Sequence, residues 1–398
     1  MRYRKFIADH LFTGSQLLDG QVLITDEKGR TEAIIPAAEA GDEVQPLSGI
    51  ITPGFINAHC HLELSHLKDV IAPGTGMIDF LLGVMGRRFV AEEQVLPAID
   101  AAETAMLQNG IVAVGDICNT PHTIPQKQRQ RLYYHNFIEA TGFVAATAQA
   151  RFDAAVATWE QFQAAGEAIT GRNSIVPHAP YSVSAALFEL ITGFPGNHLL
   201  TMHNQESVAE DEFFRTRQGD FNRLFEALGI NISSLPDFRT FGPSDAQIGK
   251  SSLQTCLPRF RAGQSLLLVH DVMTSEEDLQ FVQQARQALP DCYWCLCPNA
   301  NLYIGNGLPD VELLRRHGAT IALGTDSLAS NHQLSILAEI NTLRQHYPAL
   351  PLAELLQWAT LNGAKALNIE EQFGSFEKGK TPGVLLLKND LSEVKRLI

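Results

Sequence analysis

No run of about 20 apolar residues, the length a helix needs to cross a bilayer, occurs in the 398-residue chain. Apolar stretches such as Leu266 to Val269 fall far short of it, so no transmembrane helix is expected. The start, Met1-Arg2-Tyr3-Arg4-Lys5-Phe6, is basic but leads into Ala8-Asp9-His10 with no apolar core or small-residue cleavage site, so no secretory leader is expected either. Cations are scarce: 30 Lys and Arg stand against 44 Asp and Glu, a formal charge of −14. Nucleic-acid binding depends on cations that displace counterions from phosphates, so a nucleic-acid partner is not expected, nor an anionic membrane surface. Cysteines number six, scattered at Cys60, Cys118 and Cys256 with a group at Cys292, Cys295 and Cys297, and do not form a disulfide framework. A reducing cytoplasm is the expected location. Tandem repeats, low-complexity tracts and flexible linkers are absent as well.

What is present is alternation. Eight short apolar runs recur: Ile50 to Ala58, Ile111 to Gly115, Leu132 to Ile138, Ser174 to Val176, Leu199 to Met202, Ser265 to Val269, Tyr293 to Leu296 and Thr320 to Leu323. Continuous apolar runs suit strands buried on both faces. Between them helical spacing predicts helices over Val95 to Asn109, Ala154 to Ala168, Ala185 to Ile191, Ser275 to Leu289, Asp310 to His317 and Leu334 to His346. No GxGxxG turn follows the first strand, so the pattern predicts an α/β fold of the (β/α)8 TIM type and not a doubly wound sheet. Residues 1–52 and the segment from about 374 onward read instead as short strands and turns. The expected division is therefore 53–360 for the barrel, with 1–52 and 361–398 pairing into one small β-sandwich domain.

The first barrel strand ends in His59-Cys60-His61. Residues i and i+2 of a strand point the same way, so both imidazoles could grip one metal ion. An isolated HxH is a weak signal, but further groups stand at the carboxyl ends of later runs: His178, His203, His270 and Asp326. Barrel enzymes build their sites at that face. Three neutral imidazoles and one carboxylate form a donor set suited to zinc, with ferrous iron as the alternative. Such a metal makes a bound water a nucleophile at neutral pH, which still needs proton transfer. Glu206, three residues past His203, is placed to shuttle the proton; Asp326 would orient and deprotonate the water, and His270 would bond it or polarise the group under attack. Asn301 and Asn331 follow strands seven and eight and would either meet the substrate or shape turns. Cys292-x-x-Cys295-x-Cys297 reads as buried packing in a strand. Phe80, Leu81, Leu82, Met85 and Phe89 form an apolar helical stripe that suits core first and a lid wall second.

The segments Pro53-Gly54-Phe55-Ile56-Asn57-Ala58-His59-Cys60-His61, Pro177-His178-Ala179-Pro180-Tyr181-Ser182, His203 with Glu206, His270, Cys297-Pro298-Asn299 and Gly324-Thr325-Asp326-Ser327 together resemble the amidohydrolase superfamily. The likeness is closest to its cytosine, guanine and adenosine-type deaminases and the related triazine chlorohydrolases. Gly374 to Lys380 resembles that family's closing turn, although Thr381-Pro382-Gly383 replaces the usual Ala-Asp after it. The resemblance implies that His59, His61, His203 and Asp326 hold the metal, that Glu206 shuttles the proton and that His178 meets the substrate. Relatives with two metals carry a bridging lysine after the fourth strand; Asn173 to Pro180 has none, which implies one metal. Glu63-Leu64-Ser65 locally resembles aminodeoxyfutalosine deaminases, which makes Glu63 a candidate for reading ribose or a ring nitrogen. The expected activity is hydrolytic deamination of an amino-substituted heteroaromatic ring (nucleobase, nucleoside or pterin-like), by attack of metal-bound hydroxide with release of ammonia. Dechlorination or amide hydrolysis on the same site is the rival chemistry, and a non-catalytic scaffold the rival class. The expected partner is a small heterocycle, with a homodimer left open.

Overall fold

The structure, a computed structural model, describes residues 3–166, 171–232, 249–285, 288 and 290–398. Seven short strands open the chain: β1 (Tyr3–Ile7), β2 (His10–Phe12), β3 (Leu17–Leu18), β4 (Gln21–Asp26), β5 (Thr31–Pro36), β6 (Val44–Pro46) and β7 (Ile50–Pro53). Eight more carry the centre: β8 (Phe55–Cys60), β9 (Ile111–Cys118), β10 (Tyr133–Ala140), β11 (Gly171–Pro177), β12 (Leu199–Asn204), β13 (Ser265–His270), β14 (Asp291–Leu296) and β15 (Thr320–Leu323). The chain closes with β16 (Val384–Leu387) and β17 (Val394–Arg396).

The run from Ile50 to Ala58 is not one strand but two. At Pro53-Gly54 the chain leaves the small sheet and enters the barrel: β7 pairs with β16 and β2, β8 with β9. Both halves are buried on both faces, so hydrophobicity gives no sign of the break. Sterics do, because a Cβ on Gly54 would stand 2.3 Å from Val112 Cγ1 and 2.6 Å from the Pro382 carbonyl. Only glycine lets the backbones approach this closely.

β16 lies antiparallel to β7, so the two chain ends do meet, in a sheet ordered β17-β16-β7-β2-β3 beside a second ordered β5-β4-β1-β6. Phe6, Leu11, Leu23, Ile51, Phe376 and Val384 fill the core between them. The turn after Gly374 is tied down by Phe376 N–H to the Thr13 carbonyl at 2.8 Å and Gly379 N–H to the Thr31 carbonyl at 2.8 Å.

The central strands form two parallel four-stranded sheets, β8-β9-β10-β11 and β12-β13-β14-β15, which close on each other into the expected (β/α)8 barrel. Its two seams are where the sheets are held by few bonds. At one, Thr325 and Asp326 N–H groups both reach the His59 carbonyl, at 3.0 and 3.1 Å. At the other, His203 N–H reaches the His178 carbonyl at 2.9 Å, while Asn197 stands in for a strand by bonding both Ile175 N–H and its carbonyl at 3.1 and 2.7 Å.

Helices fall where spacing predicted them: Glu92–Gln108, Ala148–Ala164, Ala185–Thr192, Glu276–Gln284, Val311–Arg316 and Ile336–His346. Ser184, Ser275, Asp310 and Ser335 cap their N-termini by accepting backbone N–H bonds. Residues 167–168 of the second expected helix, and 286, 287 and 289 of the fourth, lie outside the described residues. Over the carboxyl ends of the strands sits a second apolar cluster, in which Met77, Ile78 and Phe80 meet Tyr181, Phe213, Phe221 and Phe225. Of the apolar stripe read as core or lid, Phe80, Leu81 and Leu82 pack into this cap above the barrel mouth, whereas Met85 and Phe89 are exposed. Among the described residues no helix is long and apolar enough to cross a membrane.

Candidate active site

His59, His61, His203 and Asp326 converge at the mouth, one metal-binding atom from each lying within 4.8 Å of all the others. His61 Nε2 stands 3.1 Å from His59 Nε2 and 3.2 Å from His203 Nε2, and Asp326 Oδ1 is 3.3 Å from His61 Nε2 and 3.7 Å from His59 Nε2. Two nitrogens bound tetrahedrally at 2.0–2.1 Å to one zinc stand about 3.3 Å apart. The spacing fits a cation. The protonation states fit as well: burial pushes His203 down to about 3 and His61 well below its ordinary value, so both are neutral at pH 7. His203 donates its Nδ1 proton to the His178 carbonyl at 2.8 Å, which leaves Nε2 as a bare lone pair. Asp326 is steadied by Ser330 Oγ, which donates to Oδ2 at 2.6 Å.

Glu206 and His270 border this cluster, with Oε1 of the first 3.6 Å from Nε2 of the second. Burial, then the charges of Asp326 and Glu210, raise the Glu206 carboxyl well above the usual carboxylate range. Its backbone is held by Glu210, whose two oxygens accept from the N–H groups of Gln205 and Glu206 at 3.0 Å each. His270, pushed down to about 4 mainly by burial, donates from Nδ1 to Asn301 Oδ1 at 2.8 Å. Left-handed backbone gathers here: Gln205, His270, Asp271 and Asp326 have φ of 48, 82, 54 and 56°. Non-glycine residues at positive φ are uncommon, and strain of this kind collects at functional sites.

Not every candidate faces the cluster. Asn301 is buried on the far side of the His270 ring from Glu206, in the first turns of the helix Pro298–Ile304 and not in a loop, because Pro298 opens that helix directly after β14. Glu63 spends its carboxylate on Arg88 at 3.0 Å, the N–H groups of Asn119 and Thr120 at 3.0 and 2.9 Å and the Thr120 hydroxyl at 2.8 Å. Arg88 is close enough that its charge helps to lower His178, which burial chiefly holds at about 4. His178 itself lies tilted beside His203, with ring centroids 4.9 Å apart and planes at 47°, and contacts Ser182 Oγ through Nδ1 at 2.6 Å. Asn331 shapes its turn, donating to the Thr325 carbonyl and Glu339, each at 2.9 Å. Cys295 and Cys297 pack in an apolar cluster with Ala58, Leu267 and Val269.

A model of the amidohydrolase family matches residues 50–192 and 250–396. The chain belongs to the amidohydrolase family. Among its relatives, the aminodeoxyfutalosine deaminase of Nitratiruptor is 27% identical over 357 residues, which cover 87% of this chain and 80% of that protein. The aminofutalosine deaminase of Helicobacter pylori, solved with methylthio-coformycin, superposes with a TM-score of 0.80 at 22% identity over 99% of this chain and 100% of that one. An adenosine deaminase of Xanthomonas campestris with bound zinc superposes at 0.72 and 21% identity, covering 98% and 84%.

Three features of this amidohydrolase escaped sequence reading. Glu210, which holds Glu206, left only a helix-start pattern, Ser207-x-x-Glu210, at the head of the helix Val208–Thr216, and Ser330, which holds Asp326, left no signal. Glu139 did, since it directly follows the apolar run of the third strand; the strand-end rule applied to histidines and to Asp326 would have found it.

Proposed function

We propose that this amidohydrolase removes the exocyclic amino group of a nucleoside-type heterocycle as ammonia, with a single divalent ion, zinc or alternatively ferrous iron, held by His59, His61, His203 and Asp326. The reading rests on Glu206, buried beside that cluster with Oε1 3.6 Å from His270 Nε2 and its carboxyl raised by burial well above the usual carboxylate range. When bound, the ion supplies a Lewis acid that eases deprotonation of water. Asp326 orients that water and takes its proton, and His270, fixed by Asn301, hydrogen-bonds the group under attack through Nε2. Oxygen adds to the carbon bearing the amino group, Glu206 delivers a proton to the nitrogen, the C–N bond breaks, and ammonia leaves an oxo ring behind. A departing amine needs that proton and a departing chloride does not.

His178 is the proposed substrate contact. Glu63 acts on the substrate through Arg88, and Asn301 through His270. The names of the relatives, deaminases of adenosine, aminodeoxyfutalosine and methylthioadenosine, support a substrate of that type. The proposed division of the chain is 53–360 for the catalytic barrel, with 1–52 and 361–398 forming the small domain. The test is ammonia release from a panel of purines, pterins, cytosines and adenosine-type nucleosides, using protein of measured metal content. Release from a nucleoside, lost in Glu206→Gln with metal retained, is the expected result. No ammonia from any member of the panel, with chloride released from a chlorotriazine or a carboxylate from an N-substituted amide assayed alongside, overturns it in favour of the rival chemistry.

A further inference from the structure

Glu139 closes β10 at the edge of the cluster, and one of its two oxygens has no partner. Oε2 accepts from Asn119 Nδ2 at 3.1 Å, whereas Oε1 is buried and unbonded. The nearest ring nitrogen, His203 Nδ1, stands 3.7 Å from Oε1 and already gives its proton to the His178 carbonyl at 2.8 Å. For the same reason the group formed by Glu139, His178 and His203 is not a second metal site, although one donor atom from each lies within 4.8 Å of the others. His203 Nδ1 carries a proton there, not a lone pair. A carboxylate oxygen buried without a partner is costly, and the cost is relieved when a donor enters with the ligand. His178 has Nδ1 engaged with Ser182 at 2.6 Å, so its Nε2 is free to meet the same ligand. One carboxylate oxygen of Glu139 and one ring nitrogen of His178 lie within 4.8 Å of each other, a separation that a single oxygen at the ordinary hydrogen-bond length of about 2.8 Å from each can bridge.

We propose that Glu139 is a specificity-determining residue, which accepts a hydrogen bond from an uncharged hydroxyl on the sugar-like substituent of the heterocycle, alongside His178, and disfavours a negatively charged group at that point. This inference rests on the nucleoside-deaminase reading and sharpens its substrate class. Arg88 does not neutralise the negative charge, because it is already paired with Glu63 at 3.0 Å.

The test compares metal-loaded wild type, Glu139→Ala and Glu139→Gln on adenosine, its 2′-, 3′- and 5′-deoxy derivatives and adenosine 5′-phosphate. In wild type, loss of one particular hydroxyl raises KM about 10- to 100-fold, the range expected for a hydrogen bond to a charged group, with kcat little changed. In Glu139→Ala that penalty shrinks to roughly threefold or less while metal content holds, and Glu139→Gln narrows the discrimination against the phosphate. A uniform fall in kcat for every substrate, or loss of metal, overturns the inference and makes Glu139 a support for His203. Binding of the same nucleosides to Glu206→Gln separates the two readings. Hydroxyl-dependent binding without turnover by wild type sinks the deaminase reading and leaves Glu139 as inferred; no nucleoside binding sinks the Glu139 inference.

Discussion

Two buried polar clusters sit within the same barrel, and they are built on opposite principles. In the first, Lys127, fully buried, donates to Asp116 Oδ2 at 2.5 Å and Asn136 Oδ1 at 2.6 Å and lies 4.8 Å above the Tyr134 ring. Burial pulls the lysine down, but the charge of Asp116, Cys118 beside it and the hydrogen bonds to both together outweigh it, and Asp116 Oδ1 still accepts from Leu62 N–H at 2.8 Å. Every charge there is answered from within the protein. In the second, His61 Nε2 faces the Nε2 atoms of His59 and His203 at 3.1 and 3.2 Å, and the His59 Nδ1, His270 Nε2 and Glu139 Oε1 atoms have no hydrogen-bond partner. Buried polar groups in folded proteins are nearly always satisfied. Satisfaction therefore marks the first cluster as structural, and its lack marks the second as shaped for something the chain does not itself contain.

Breaking the second cluster should show in chemistry before it shows in folding. Glu206→Gln is expected to lower kcat by 10²- to 10⁴-fold, the usual contribution of a positioned proton shuttle, with metal content unchanged by atomic absorption. Breaking the first should do the reverse. Lys127→Met leaves Asp116 buried and unpaired, so denaturant unfolding should register a loss of about 3–5 kcal/mol while the purified variant still binds metal.

A third buried group sharpens the contrast by pH. Burial pushes Glu339 up to about 8 although Asn299 N–H and Asn331 Nδ2 bond its oxygens, each at 2.9 Å. Its folded pKa lies above the ordinary 4.5, so the folded state holds the proton more tightly. Its contribution to stability is full below about pH 4.5 and is lost as pH rises to about 8. Melting temperature should therefore fall across that window in wild type and less so in Glu339→Gln; parallel curves would refute the assignment. The smallest effect belongs to the metal cluster itself. With chelator present, His61→Asn should melt within about 1 kcal/mol of wild type or above it, since converging lone pairs add nothing without a cation. A large loss in chelated protein would erase the distinction between the clusters.

Part of this was readable in one dimension. His59, His61, His203, His270 and Asp326 were legible because a strand end gives direction: the run stops, and the next side chain faces the mouth. Glu63 and Asn301 were legible as polar residues near the site, but not in what they face, since that depends on how the loop at Asn119 and the helix at Pro298 fold back. Glu139 was legible by the same strand-end rule, but carboxylates are common at strand ends, and only the lack of a hydrogen-bond partner at the buried Oε1 distinguishes this one.

By itself the sequence determined the alternation of strand and helix, the β character of both chain ends and the identity of the clustered side chains, because each is a local pattern of hydrophobicity, turn residues and strand ends, whereas the pairing of the two ends needed the antiparallel meeting of β16 with β7. Tertiary structure alone decided that Ile50 to Ala58 splits at Gly54, that Lys127 is paired inside and that the Glu139 oxygen is not. Those outcomes depend on which atoms from distant segments come within a few ångströms, and hydrogen-bond satisfaction is a property of that meeting, not of any one segment.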